Sequence, residues 1–175
     1  MVIRTSILEA FANSIWAKVE LLQTNSLEKR ELLRVKESIS DDIKKCTDLT
    51  PPRVSIAARE EAMRREVELD CLNWQEQPRV DPGRQVFHRE HVIPVKSIRD
   101  RCLVAESANQ IIDALKSAKV AWILKSEDRK LNQLGFRTNR PDPADAYRKA
   151  GIILEELRSP PNKPLQPPRS EEPNK

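Results

Sequence analysis

The stretch FHREHVIP, residues 87–94, decides how this chain is read, because it gathers both histidines of the sequence, His88 and His91, around Glu90. Val, Ile and Phe dominate the window from Gln85 to Val95. Pro94 lacks an N–H and suits a strand end, so the window predicts a β-strand. Side chains alternate along a strand, which would put His88 and Glu90 on one face and His91 on the other. A bulge or an early strand end would instead let His91 join Glu90. Both arrangements stay open at this stage.

Working outward, VAWIL at 120–124 is a compact β-branched and aromatic run and predicts a second strand. Between the two, residues 97–118 repeat Ile98, Leu103, Ile111, Ile112 and Leu115 in a helical pattern. After the second strand, Ser126 is a candidate cap for a helix through SEDRKLN, with Glu127 and Asp128 in its first turn and Gly135 as its terminator. Asp128 and Asn132 are four apart and so share a helix face, both presenting side-chain oxygen. A last helix is expected over 144–157, interrupted or capped at Gly151.

Upstream, Leu8, Phe11, Ile15, Val19 and Leu22 form one helical stripe, and Leu32, Val35, Ile39, Ile43 and Cys46 a second, with Ser26 as its expected cap. Pro51-Pro52 ends the second helix, and Ser55 can cap a third running to Trp74. Residues 77–84, with Pro78, Pro82 and Gly83, read as a loop. The organisation expected is a helical segment over 1–77, a second domain over 78–158, and a Pro-rich tail over 159–175 with too little apolar mass to offset its ordering entropy.

Charged residues make up 33% of the chain, and its formal net charge is +4. The excess is local: from Lys116 to Lys149 nine Lys and Arg stand against four Asp and Glu. Such a surface suits a phosphate backbone, whose condensed counterions are released on binding. Three cysteines without a Cys-x-x-Cys pair support neither a disulfide framework nor a zinc knuckle, and imply reduced thiols. The first 22 residues carry charges within their apolar stretch, so neither a signal-peptide core nor a membrane span is expected, and the expected location is the cytoplasm.

EHVIP at 90–94, VAWIL at 120–124 and SEDRKLN at 126–132 together resemble the ββα-metal core of the HNH, or His-Me finger, endonucleases. The resemblance implies an α+β fold: an N-terminal helical segment followed by a ββα-metal finger with a helical insertion between its two strands. It further implies an enzyme that hydrolyses DNA phosphodiester bonds, as an endonuclease or nickase of the kind found in phages and mobile elements. His91 would be the general base, with His88 as the competing candidate. Glu90, Asp128 and Asn132 would hold one divalent ion, Mg²⁺ or Mn²⁺. Arg89, Lys96, Lys125, Arg129, Lys130, Arg137 and Arg140 would line the DNA path. The N-terminal helices would bind DNA or a protein partner. The alternative is a degenerate finger that binds nucleic acid or protein without cutting.

Overall fold

A computed structural model describes residues 3–24 and 26–155, so the tail expected at 159–175 lies outside the described residues. The chain is α+β, mostly helical, with one small sheet. Helix α1 (Thr5–Gln23) and helix α2 (Lys29–Asp48) form a hairpin. Strand β1 (Arg53–Val54) and helix α3 (Ile56–Arg64) follow, and a short helix α4 (Gln77–Val80) leads to strand β2 (Phe87–His91). Helices α5 (Val95–Leu103) and α6 (Ala108–Lys116) separate β2 from strand β3 (Val120–Leu124). Helix α7 (Lys125–Gln133) and helix α8 (Pro143–Lys149) complete the fold.

The sheet order is β1-β3-β2, with β1 parallel and β2 antiparallel to the central β3. β2 pairs with β3 in unbroken register, from Phe87 opposite Leu124 to His91 opposite Val120, without a bulge. Alternation therefore holds along β2. One face carries His88 and Glu90 beside Ile123 and Ala121; the other carries Phe87, Arg89 and His91 beside Leu124, Trp122 and Val120.

Each face has its own core. Ala121 and Ile123 pack with Leu131 of α7 and with Ala146, Tyr147 and Ala150 of α7's neighbour α8 and its end. On the reverse, Phe87, Trp122 and Val54 pack with Ala58 and Ala62 of α3. A third core joins Ile15 and Val19 of α1, Ile39 and Ile43 of α2, Ile98 and Cys102 of α5, and Ile111 and Leu115 of α6. The helices between the strands are thus the partners of the N-terminal hairpin, and a boundary at residue 77 does not divide two cores. Leu8, Ile15 and Val19 of α1 and Ile39, Ile43 and Cys46 of α2 are buried in this shared core.

Several expected elements are shorter than their patterns suggested. The helix after Ser55 does receive its cap, Ala58 N–H donating to Ser55 Oγ at 3.1 Å, but it stops at Arg64 rather than Trp74. Glu66 then adopts φ +57°, a left-handed turn that a helix cannot continue through. Residues 97–118 split where Ser107 caps α6. α2 starts at Lys29, and Ser26 bonds Thr24 instead of capping it. Residues 77–84 contain the turns of α4 and a 3₁₀ segment rather than open loop. Gly135 and Gly151 behave as terminators, at φ +81° and +69°, values that an L side chain rarely adopts. The last helix ends at Lys149 rather than 157. Among the described residues no helix is long and apolar enough to cross a membrane.

Candidate metal centre on one face of the edge strand

Asp81 sets where β2 begins. Its buried carboxylate accepts from the backbone N–H groups of Gln85, Val86 and Phe87 and from Gln77 Nε2. Burial pushes this carboxyl up, but the backbone and amide donors outweigh it and hold it below the usual carboxylate range. With the strand start pinned, the alternation puts His88 and Glu90 under the N-terminal turn of α7, which supplies Asp128.

His88 Nε2 lies 3.1 Å from Glu90 Oε2 and 3.6 Å from Asp128 Oδ1. One ligand atom from each of these three residues falls within 4.8 Å of the others. Two carboxylates and one imidazole converging at that spacing are a donor set that a divalent cation accepts, so the side chains present fit such an ion. Asn132 is one turn on and donates from Nδ2 to Asp128 Oδ1 at 3.3 Å, its own oxygen remaining available.

Two cations complete the arrangement. Lys125 Nζ is 3.2 Å from His88 Nδ1. An ammonium only donates, so Nδ1 accepts and the ring proton sits on Nε2, directed at Glu90. Arg140 is fully buried and donates to Glu90 Oε1 at 2.7 Å, to the carbonyls of His91 and Val92 at 3.1 Å each, and to the carbonyl of Phe136. Its guanidinium also lies 5.4 Å from the Tyr147 ring centroid, within cation–π range. Burial pushes the Glu90 carboxyl up, yet the His88 hydrogen bond and the Arg140 charge outweigh it, so Glu90 is held ionised below the usual carboxylate range. Beneath the site Glu127 anchors α7, accepting from Leu124 N–H and Ser55 Oγ at 2.7 Å each. α7 starts at Lys125, so Ser126 is not its cap.

His91 lies on the opposite face. Its Nε2 is buried and pairs with no protein group among the described residues, and burial lowers its pKa, opposed in part by Glu90. It lines a small cavity of about 280 Å³ together with Lys44, Asp48 and Trp74, and His88 and Arg89 of the same strand also reach that cavity. The base assigned to His91 on family resemblance is therefore separated from the carboxylates by the strand itself, because β2 runs regularly through position 91.

Of the side chains expected along a DNA path, Arg129, Lys130 and Arg137 are exposed, and Lys96 is exposed with Asp100 as its partner. Arg89 and Arg140 are not available: Arg89 is 8% exposed and paired with Asp48, and Arg140 is 2% exposed and spent on Glu90 and three carbonyls. A phosphate would have to displace buried ion pairs to reach either. Cys46 and Cys102 are buried in the helical core, where burial pushes their thiols up to about 11. The pairing of Arg140 with Glu90 spans fifty positions and carries no local signal; Lys125 was legible as a cation beside the site but not as the partner of His88.

Comparison of the chain with protein-family models, with curated proteins and with solved structures returns no match.

Proposed function

We propose that the chain is a metal-dependent phosphodiesterase acting on nucleic acid, an endonuclease or nickase, with its centre at His88, Glu90 and Asp128. The observation that carries this reading is the convergence of one imidazole and two carboxylates within 4.8 Å, beside the unburied cations of α7. Glu90 and Asp128 would hold one divalent ion, Mg²⁺ or Mn²⁺, with Asn132 as a third oxygen. When bound, such an ion neutralises charge gathering on the phosphate and acidifies water.

The remaining steps belong to the side chains. Lys125 is the cation beside the centre that is not enclosed, and an incoming phosphate draws its ammonium away from His88 Nδ1. That frees the imidazole to shift its proton to Nδ1 and to present Nε2 as the base toward water. Arg140 keeps Glu90 ionised and fixed in place, and Arg129 and Lys130 meet the flanking phosphates.

One observation favours a second reading, a non-cutting nucleic-acid-binding module. Every charge of the cluster already has a partner: Lys125 on His88, Arg140 on Glu90, and Asn132 on Asp128. A supercoiled-plasmid assay in Mg²⁺, Mn²⁺ or EDTA separates the two. Nicking that needs the ion and is lost in Asp128→Ala supports the enzyme; intact plasmid in every ion, with DNA still bound, supports the module.

A further inference from the structure

A cleft of about 790 Å³ opens on the same face of the sheet as the His88 cluster, between α8, the segment 151–154 and the turn from α6 into β3. Its rim carries Lys116, Lys119 and Arg148, while Arg53 at its edge donates to the carbonyls of Leu154 and Glu155, and Asp142 is the one acid among the described residues that line it. Lys116 and Arg148 are engaged only by surface pairs with Asp113 and Asp145, which contribute little and rearrange readily. Its floor is apolar, through Ile93, Leu154 and Ile153, and Ile153 is 64% exposed.

We infer that this cleft binds a single-stranded segment of nucleic acid, phosphates on the cationic rim and unstacked bases over the apolar floor. Charge complementarity selects a polyanion, and the floor selects its form. A duplex keeps its bases stacked inside and would leave Ile93 and Ile153 uncovered, whereas an unpaired strand offers base faces to them. The cleft is also in register with the proposed centre, a reading on which this inference rests. Val92, at its edge, is two residues on from Glu90, just past the end of β2, and so no more than about 7 Å away at the rise of an extended chain. Even at the 3.4 Å per nucleotide of a stacked duplex strand, a strand whose phosphate sits at Glu90 and Asp128 reaches the cleft within roughly two nucleotides, and an unstacked strand, with its phosphates farther apart, needs no more. Arg140 spans that interval from beneath, bonded to Glu90 at one end and to the Val92 carbonyl at the other.

The test uses the full chain and a fluorescein-labelled oligothymidylate in EDTA, so that binding is read without cleavage, by anisotropy across a series of NaCl concentrations. The double variant Lys119→Glu with Arg148→Glu should bind about tenfold or more weakly, and its salt slope should fall by roughly 1.4, about 0.7 for each lost single-strand contact. Lys36→Glu, on the exposed side of α2, should bind as the wild type does. An unchanged double variant overturns the inference, as does an equal loss in Lys36→Glu, or wild-type binding confined to duplex DNA. Displacement of the oligonucleotide by polyglutamate at matched charge would also overturn it, since the floor would then contribute nothing. Cleavage in Mn²⁺ is scored separately. A protein that binds through the cleft and cuts nothing loses the nuclease reading and keeps this one; a protein that cuts with unchanged affinity in the double variant does the reverse.

Discussion

The two faces of β2 contain the same kinds of side chain and do different things with them. On one face His88 and Glu90 meet Asp128, Lys125 and Arg140, partly open to solvent and poised around a space. On the other, Arg89 closes on Asp48 and His91 is packed with an unpaired ring nitrogen. There is one histidine on each side, with two carboxylates around His88 and on the other face one, Asp48, which pairs with Arg89: the contrast shows that geometry, not residue type, makes a site. Ionisable side chains become chemistry only when they converge, and here only the His88 face does so.

The sharpest way to break the contrast is to exchange which histidine matters. His88→Ala should lower metal-dependent nicking by about 10²–10⁴-fold, the range for removing a positioned base, with Glu90→Ala and Asp128→Ala at least as severe. His91→Ala should retain cleavage once folding is matched by circular dichroism, because its ring is cut off from the carboxylates by the strand. An inactive His91→Ala beside an active His88→Ala would invert the comparison and require β2 to bulge in solution.

Arg140 is next in expected size. It is the one guanidinium on the His88 face that is wholly enclosed, and its removal strands Glu90 as a buried anion. Arg140→Met should cost about 3–5 kcal/mol in a urea titration, the usual loss when one member of a buried ion pair is deleted. Arg140→Lys cannot reproduce the fork that reaches Glu90 and three carbonyls, and should recover only part of that stability. A loss below about 1 kcal/mol for Arg140→Met would mean that the guanidinium is far more solvated than its enclosure implies.

Much of this was legible in the sequence, and the limits are physical. The strand-forming runs within 85–95 and at 120–124 and the acidic first turn of α7 are local features, set by β-branched residues and by the helix dipole, though the window 85–95 is wider than the strand it contains, Phe87–His91. Period-two alternation also separated His88 from His91, but it could not say whether the strand stays regular. The unread cause is Asp81, whose carboxylate gathers three consecutive N–H groups and so fixes the strand start from outside it. β1 is two residues long, too short to carry a period. Sharing of one core by the N-terminal hairpin and α5–α6 is a long-range fact that no window contains, and the burial of Arg140 is likewise invisible, since a charged residue in a basic stretch looks exposed.

That role for Asp81 makes the register itself testable. Asp81→Ala removes the acceptor of three backbone donors and should lower stability by roughly 1.5–3 kcal/mol, the range for hydrogen bonds to a charged group. The telling readout is hydrogen exchange: the amides of Val86 and Phe87 should lose protection first, while those of α1 and α2 keep theirs. Uniform loss of protection across the chain would instead make Asp81 one contributor among many, and the regularity of β2 would need another cause.

The smallest effect expected is a pH dependence that belongs to one face only. Burial depresses the pKa of His91, so the folded state holds it neutral where the unfolded chain, with an ordinary value near 6.5, begins to take up a proton. A group whose folded pKa is depressed contributes stability that is complete above its unfolded value and is lost as pH falls through the folded one. Between about pH 7.5 and 5.5 the wild-type unfolding free energy should therefore decline, by no more than roughly 1.4 kcal/mol per pH unit from this residue, and the melting temperature should fall with it. His91→Gln should flatten that decline while lowering stability at pH 7.5, and His88→Ala should leave the His91 contribution in place. A wild-type profile unchanged by His91→Gln would mean that the ring is hydrated, that its buried nitrogen has found water, and that the two faces of β2 differ less than their packing indicates.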